Sequence, residues 1–399
     1  MSRLSVLAVL LTAAGILGAL LTPYGSQASS GDAIIGDYLF DYKGMNAVFL
    51  TRVYEDGGDL YAMMDIADKP MKMEVQDARK HEYIMKSPRG RAEFKLRFFE
   101  NSEGDIEQLN VKSDGYGMDL TGTRFIHDIQ RLREYHAEQL RPYVYRKPLQ
   151  IEGDWPVATL SEVGLDTTSF CQMMNDVYEN YDFLHSILIV KGGKLVFEEY
   201  MNGWDPLRLH RLQSVTKSYT STLVGLAIRE GYIGSLKDPV YEYLPEYASL
   251  FQGAKKEISI EHLLTMTAGF EWNELETYYD DPDNCDAHAA GASGDYIKFV
   301  LERPLATTPG EAWYYNSGYP NMLGYIIEQE SGMDLLEFSF NYLFEPIGIE
   351  RAYLQPTIGE GRPSCAGGLR LASRDMARYG QLHLRGGVWD GVQVVPVDY

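Results

Sequence analysis

Ser214-Val215-Thr216-Lys217 opens an amphipathic run that continues Ser218-Tyr-Thr-Ser-Thr-Leu-Val-Gly-Leu-Ala-Ile-Arg-Glu230 and stops at Gly231. No other serine among the 399 residues has a lysine three positions downstream. The pattern predicts a helix, and residues three apart share a helix face, so Lys217 Nζ can reach Ser214 Oγ. A serine hydroxyl is a weak nucleophile at neutral pH, and an amine whose pKa is lowered by burial is one of the few groups able to take its proton. The helix N-terminus adds a positive end and free N–H groups where a tetrahedral oxyanion would form. The same four letters also suit a plain serine N-cap with a solvated lysine behind it. The tetrad therefore needs partners elsewhere in the chain.

One candidate lies about a hundred residues on, in Pro309-Gly-Glu-Ala-Trp313-Tyr314-Tyr315-Asn316-Ser317-Gly318. A tyrosine facing the Ser–Lys pair could relay a proton between the hydroxyl and a leaving group. The chain has 29 tyrosines, so one more decides little by itself.

Composition bounds the alternatives. The length allows two domains, and 45% hydrophobic content supports real cores. Lys plus Arg total 36 against 57 Asp plus Glu, a formal net charge of −21, which argues against nucleic-acid or anionic-membrane partners. Arg3, the apolar stretch Leu4 to Leu21 and the small-x-small site Ser26-Gln27-Ala28 read as an export signal over residues 1–28, for a periplasmic or extracellular protein. The apolar stretch also has the length of an uncleaved anchor. No other segment could cross a membrane. Cys171, Cys285 and Cys365 are too few for a disulfide scaffold, although export permits one bridge. Their spacing matches no metal site, and we expect neither metal nor cofactor.

Between Ile34 and Phe125 the chain changes character. Short runs alternate with period two, most clearly Glu93-Phe-Lys-Leu-Arg-Phe98, and turn clusters such as Glu55-Asp-Gly-Gly58 and Ser87-Pro-Arg-Gly90 separate them. The expectation is a small antiparallel barrel or half-barrel over residues 31–125, similar to the lipocalin-like accessory domains of some exported serine hydrolases. A charged helix over His127–Arg141 and an extended connector with three prolines, Pro142 to Pro156, make a linker over 126–156. Beyond it, Leu184 to Tyr200 reads as a hairpin turning at Gly192-Gly193, and Met322 to Leu343 as helix-rich. Strands first and helices in the middle is an α+β order.

The order of the pieces carries a resemblance. Arg211-Leu-Gln-Ser214-Val-Thr-Lys217-Ser, Ile260-Glu-His-Leu-Leu-Thr-Met-Thr-Ala-Gly269, Pro309 to Ile327, and Gly367-Gly-Leu-Arg-Leu-Ala-Ser-Arg-Asp-Met-Ala-Arg-Tyr-Gly380 follow one another with plausible gaps. From about Leu165 onward the chain resembles the serine hydrolases that share the class C β-lactamase and penicillin-binding-protein fold. Within them it looks closest to the esterase-like members related to 6-aminohexanoate-dimer hydrolase. The resemblance implies a β-lactamase-like α+β domain over 157–399, an antiparallel sheet flanked by helices with a helical subdomain. It places the nucleophile on Ser214 and the lysine on Lys217.

The family's second motif is usually Tyr-x-Asn, and two tyrosines compete for it. Tyr314 fits the letters with Asn316. Tyr315 keeps the six-residue step from Pro309 and an ungapped run into Leu323-Gly324. Spacing fixes geometry, so the expected tyrosine is Tyr315. Asn316 and Ser317 then fall where side chains orient substrate, with Ser317 in place of the usual asparagine, a departure that weakens a β-lactamase reading. His262 is expected to make a structural hydrogen bond rather than to build a Ser-His-Asp triad. The acidic stretch Asp280 to Asp286 reads as a solvated loop rimming the cleft, and it lacks the spacing of an EF-hand. That loop and the Cys365 segment should both lie near the cleft in this fold, which makes Cys285–Cys365 the candidate bridge. A third motif, with a second backbone oxyanion donor, has no counterpart after Gly380, so the chain is expected to be C-terminally incomplete.

The expected activity is acyl-enzyme hydrolysis of a small-molecule ester or amide, with Ser214 attacking, Lys217 managing its proton and Tyr315 relaying one to the leaving group. The rival readings are a β-lactamase or D-Ala peptidase of the same fold, and a catalytically silent binding protein.

Overall fold

The structure, a computed structural model, describes residues 7–12, 36–42, 45–64, 71–86, 93–102, 105–113, 118–124, 142–151, 154–278, 281, 283–286, 295–355, 357, 362–397 and 399. Two compact units emerge. One contains residues 1–210 with 350–352 and 371–381; the other contains 211–349, 353–370 and 382–399.

In the first unit, Leu7–Thr12 (β1) is a short apolar strand. Period-two alternation then produces eight strands: β2 (Gly36–Tyr42), β3 (Met45–Asp56), β4 (Asp59–Met64), β5 (Met71–Asp77), β6 (Glu82–Lys86), β7 (Glu93–Glu100), β8 (Ile106–Ser113) and β9 (Met118–Arg124). Each pairs with the next, and β2 closes on β9 with Tyr38 opposite Arg124, giving a closed barrel. Along β7 the phenylalanines and leucine at 94, 96 and 98 are buried and the charged residues between them exposed, as a pleated strand with one wet face requires. Phe98 meets Tyr38 and Tyr83 edge-on at 5.4 and 5.6 Å between ring centroids, so aromatic side chains fill part of the interior.

After the barrel the predicted helix over 127–141 lies outside the described residues, as do most of residues 1–35, including the expected cleavage site. Asp166 caps α1 (Thr167–Asn180), its carboxylate accepting from Thr168 N and Ser169 N. The predicted hairpin forms as β10 (Leu184–Lys191) and β11 (Lys194–Tyr200), antiparallel, with Gly192 and Gly193 at positive φ in its turn. β1 lies antiparallel on the other edge of β10. Met174, Val177, Ile187, Ile189, Val196 and Phe197 share one buried cluster between helix and hairpin. On β11, Glu198 is buried and accepts from Arg374 Nε and Nη2 at 2.8 and 2.7 Å and from Tyr200 Oη at 2.8 Å. Arg374 and Arg378 both reach Asp154.

The second unit holds the helices α2 (Thr216–Arg229), α3 (Ile260–Leu264), α4 (Tyr296–Glu302), α5 (Gly318–Ser331) and α6 (Leu335–Ser339). Both α2 and α5 are buried along most of their length and pack together. Gly332 ends α5 in the left-handed conformation, its N–H bonded to Glu328 O. Among the described residues no helix is long and apolar enough to cross a membrane.

Candidate active site

The site belongs to the second unit, and α2 supplies its first two groups. A short 3-10 turn, Gln213–Val215, precedes the helix, with Gln213 at φ 49. A non-glycine residue in that region is uncommon and concentrates where backbone is held for a purpose. Leu212 N donates to Leu369 O, Thr216 Oγ1 accepts from Leu369 N, and Thr220 Oγ1 donates to Cys365 O, so the first turns of α2 are zipped to the 365–369 segment. Lys217 lies on the same seam and donates to Ala366 O at 2.8 Å and to Ser214 Oγ at 3.3 Å.

The third group arrives on the strand-like stretch before α5. Ser259 and His262 make a reciprocal capping box at the start of α3, with Ser259 N donating to His262 Nδ1. That is the structural hydrogen bond expected of His262. Beyond α3, Thr267 O accepts from Gly310 N and Met266 O from Tyr314 N, which lays residues 310–314 along 266–267. Gly310 has φ +87, and a Cβ there would stand 3.1 Å from His262 Nε2. Only glycine suits both the turn and the approach.

This scaffold brings Tyr315 Oη to 2.7 Å from Ser214 Oγ, with Lys217 Nζ 4.7 Å from the centroid of the Tyr315 ring. Ser214 is exposed, and Lys217 and Tyr315 are half-buried. Tyr314 turns away: its hydroxyl donates to Glu276, and burial together with that carboxylate pushes its phenol up to about 12. Of the two competing tyrosines, the one chosen by spacing is therefore the one beside Ser214.

Asn316 and Ser317, read from sequence as substrate-orienting, turn inward instead. Ser317 is buried, its Oγ donating to Glu274 Oε1 at 2.6 Å and its N–H to Glu274 Oε2 at 2.8 Å. Asn316 is fully buried, and its Oδ1 accepts from Gly318 N at 2.7 Å. The Ser317 side chain and the Asn316 Oδ1 both hold the start of α5. Glu274 is 1% exposed and also accepts from Trp272 Nε1 at 2.8 Å. Close by, Asp286 accepts from Tyr296 Oη at 2.6 Å. Burial, reinforced by Glu274, raises the Asp286 carboxyl above the usual range, while the Tyr296 hydrogen bond and the charge of Lys217 oppose the rise. Asp286 closes the acidic stretch read from sequence as a solvated loop, and its burial with Asn284 corrects that reading for this end of it, whereas Glu274 was not singled out. Glu274 sits in Trp272-Asn-Glu-Leu, which carries no spacing signal, and its partner Ser317 is 43 residues away.

The candidate Cys285–Cys365 bridge does not form. All three cysteines are free thiols. Cys285 Sγ accepts from Asn273 N, whereas Cys365 is buried against α5 with its thiol pushed far up by burial. The approach at Cys365 is very close, for a Cβ on Gly324 of α5 would lie 2.1 Å from Cys365 Sγ. Among the described residues no group of His, Cys, Asp and Glu is placed to hold a metal ion.

The family described as Beta-lactamase matches residues 185–391, just over half of the chain. The chain belongs to the β-lactamase family. The family's fold is α+β, and its members are serine hydrolases. Among curated proteins, the chain is 30% identical over 220 residues to a 6-aminohexanoate-dimer hydrolase of Paenarthrobacter ureafaciens, covering 53% of this chain and 54% of that protein. It is 29% identical over 148 residues to esterase EstB of Burkholderia gladioli, covering 35% and 37%. The chain thus spans about half, or less, of the length of these curated relatives. Among solved structures it is similar to a D-alanine carboxypeptidase AmpC of Burkholderia cenocepacia, at 23% identity and TM-score 0.39, covering 53% of this chain and 60% of that one.

Proposed function

We propose that this protein is a serine hydrolase that cleaves a small-molecule ester or amide through an acyl-enzyme on Ser214. The observation that carries the reading is the convergence of Tyr315 Oη and Lys217 Nζ on Ser214 Oγ. In acylation the Ser214 oxygen attacks the substrate carbonyl, its proton passes to the Tyr315 oxygen, and the Tyr315 proton passes to the leaving group. Lys217 stabilises the developing charge on Ser214 and on the Tyr315 oxygen from its place over that ring. In this reading the Ser214 N–H, at the positive end of α2, donates to the carbonyl oxygen as it becomes an oxyanion. Deacylation reverses the relay, with water in place of the alcohol or amine.

The likeness to an esterase and to a 6-aminohexanoate-dimer hydrolase, at 29% and 30% identity against 23% for the D-alanine carboxypeptidase, supports this reading over a β-lactam or D-Ala peptide substrate. The inward turn of Ser317 supports it too, since that side chain offers no amide to a substrate. We further propose export, on the strength of Arg3, the apolar run behind it and the Ser26-Gln27-Ala28 site, with cleavage there removing β1 from the edge of β10.

The test is covalent labelling by a fluorophosphonate, followed by turnover of short esters, β-lactams and D-Ala peptides. Wild type should label and hydrolyse esters, and Ser214→Ala should do neither, a loss on the order of 10⁴ to 10⁶ in rate. A chain that never labels is a silent binding protein, and labelling that survives in Ser214→Ala refutes the nucleophile. An N-terminus at about residue 29 in the secreted protein would establish the export signal.

A further inference from the structure

Two large apolar side chains left in water stand next to the reacting groups in sequence. Val215, the residue after the nucleophile, is 47% exposed, and Trp313, two residues before Tyr315, is 62% exposed. Leu275 and Tyr278 are 59% and 84% exposed on the turn whose Glu276 accepts from Tyr314, so that turn lies against the segment bearing Trp313. Val215 and Trp313 stand in the two segments that carry Ser214 and Tyr315. The Trp313 ring is 6.5 Å, centroid to centroid, from the Tyr315 ring, and Tyr315 touches Ser214 Oγ. Exposed apolar side chains beside a nucleophile mark a place where something apolar binds.

Charge narrows the occupant. The same turn carries Glu276, Asp281 and Asp283, and the chain as a whole is strongly acidic. A carboxylate at the far end of a substrate would be repelled there.

We infer that Trp313, with Val215, forms an apolar shelf that seats the uncharged acyl chain of the substrate, and that the enzyme therefore prefers esters of medium-length fatty acids to acetyl or acidic esters. The inference rests on Ser214 being the nucleophile. Each methylene covered by the shelf should raise kcat/KM roughly fourfold, to the extent that it leaves water in the transition state.

The experiment measures kcat/KM for p-nitrophenyl acetate, butyrate, octanoate and hemisuccinate, with fluorophosphonate labelling run beside it. The expected result is an octanoate-to-acetate ratio of about tenfold or more, a butyrate preferred to the hemisuccinate, and collapse of the octanoate-to-acetate ratio in Trp313→Ala but not in Trp313→Phe. Labelling at Ser214 combined with a flat chain-length series, or with a ratio untouched by Trp313→Ala, overturns the shelf and leaves the nucleophile standing. Absence of labelling overturns both.

Discussion

The phenolic oxygen of Tyr315 stands 2.7 Å from Ser214 Oγ, whereas that of Tyr314, one residue earlier, is bonded to Glu276. Adjacent residues on an extended stretch point to opposite sides, so only one of the two can serve the nucleophile. Tyr315→Phe should lower ester turnover by about 10² or more while leaving the fold intact. Tyr314→Phe should be mild. Steady-state kinetics of the two variants decide the matter, and the reverse order would exclude Tyr315 as the relay.

Glu274 ties Ser317 and Trp272 together with three hydrogen bonds in a buried place. Removing it leaves three donors without an acceptor, and Glu274→Ala should cost about 3 kcal/mol or more. Glu274→Gln keeps the shape and part of the acceptor capacity and should cost less. Thermal unfolding reports the stability, and the labelling rate reports whether Tyr315, two residues from Ser317, has moved. A Glu274→Ala protein as stable as wild type would remove Glu274 from this role.

The pair Arg374–Glu198 makes a different prediction. Arg374→Met alone strands a buried carboxylate and should destabilise by about 3–5 kcal/mol. Adding Glu198→Met removes the stranded charge and should recover much of the loss. Denaturant unfolding of the two single variants and the double closes the cycle. Additive losses would mean that the two charges do not depend on each other.

Stability should also fall in mild acid. His185 and His210 stack on Trp204 at 4.1 and 4.0 Å, and His210 Nε2 hydrogen-bonds Ser373 Oγ. Burial, helped by Arg208, lowers His185 to about 4, and burial with His185 as neighbour lowers His210 to about 3. Below an unfolded-state value of about 6.5 the unfolded chain takes up protons that the folded chain refuses. The contribution is therefore whole above about pH 6.5 and shrinks as pH falls toward the folded values. His210, nearly all buried, should account for about 2 kcal/mol between pH 6.5 and 5. Urea unfolding across that range should show a shallower decline in His210→Gln, and an equal decline would refute the attribution.

Much of this was legible because the relevant spacings are local. Ser214 and Lys217 meet through one helical turn, the β7 pattern through its pleat, and Tyr315 through its distance from the Gly310 turn. The directions of Ser317 and Asn316 were not, because a buried carboxylate 43 residues away claims Ser317, and nothing in the letters around Glu274 announces a buried acceptor. The same holds for the cysteines. Proximity to one cleft did not make Cys285 and Cys365 neighbours, since Cys365 faces α5 and Cys285 faces Asn273.

Gly324 takes no part in the chemistry, yet it sets a manufacturing tolerance for it. The loop beginning at Cys365 can press against α5 only because position 324 has no methyl group, and the carbonyl of Ala366 in that loop is what steers Lys217 toward Ser214. A mutational survey would file 324 under packing. An alanine there would displace the loop, and the lysine with it, so the geometry at Ser214 would change along with the packing.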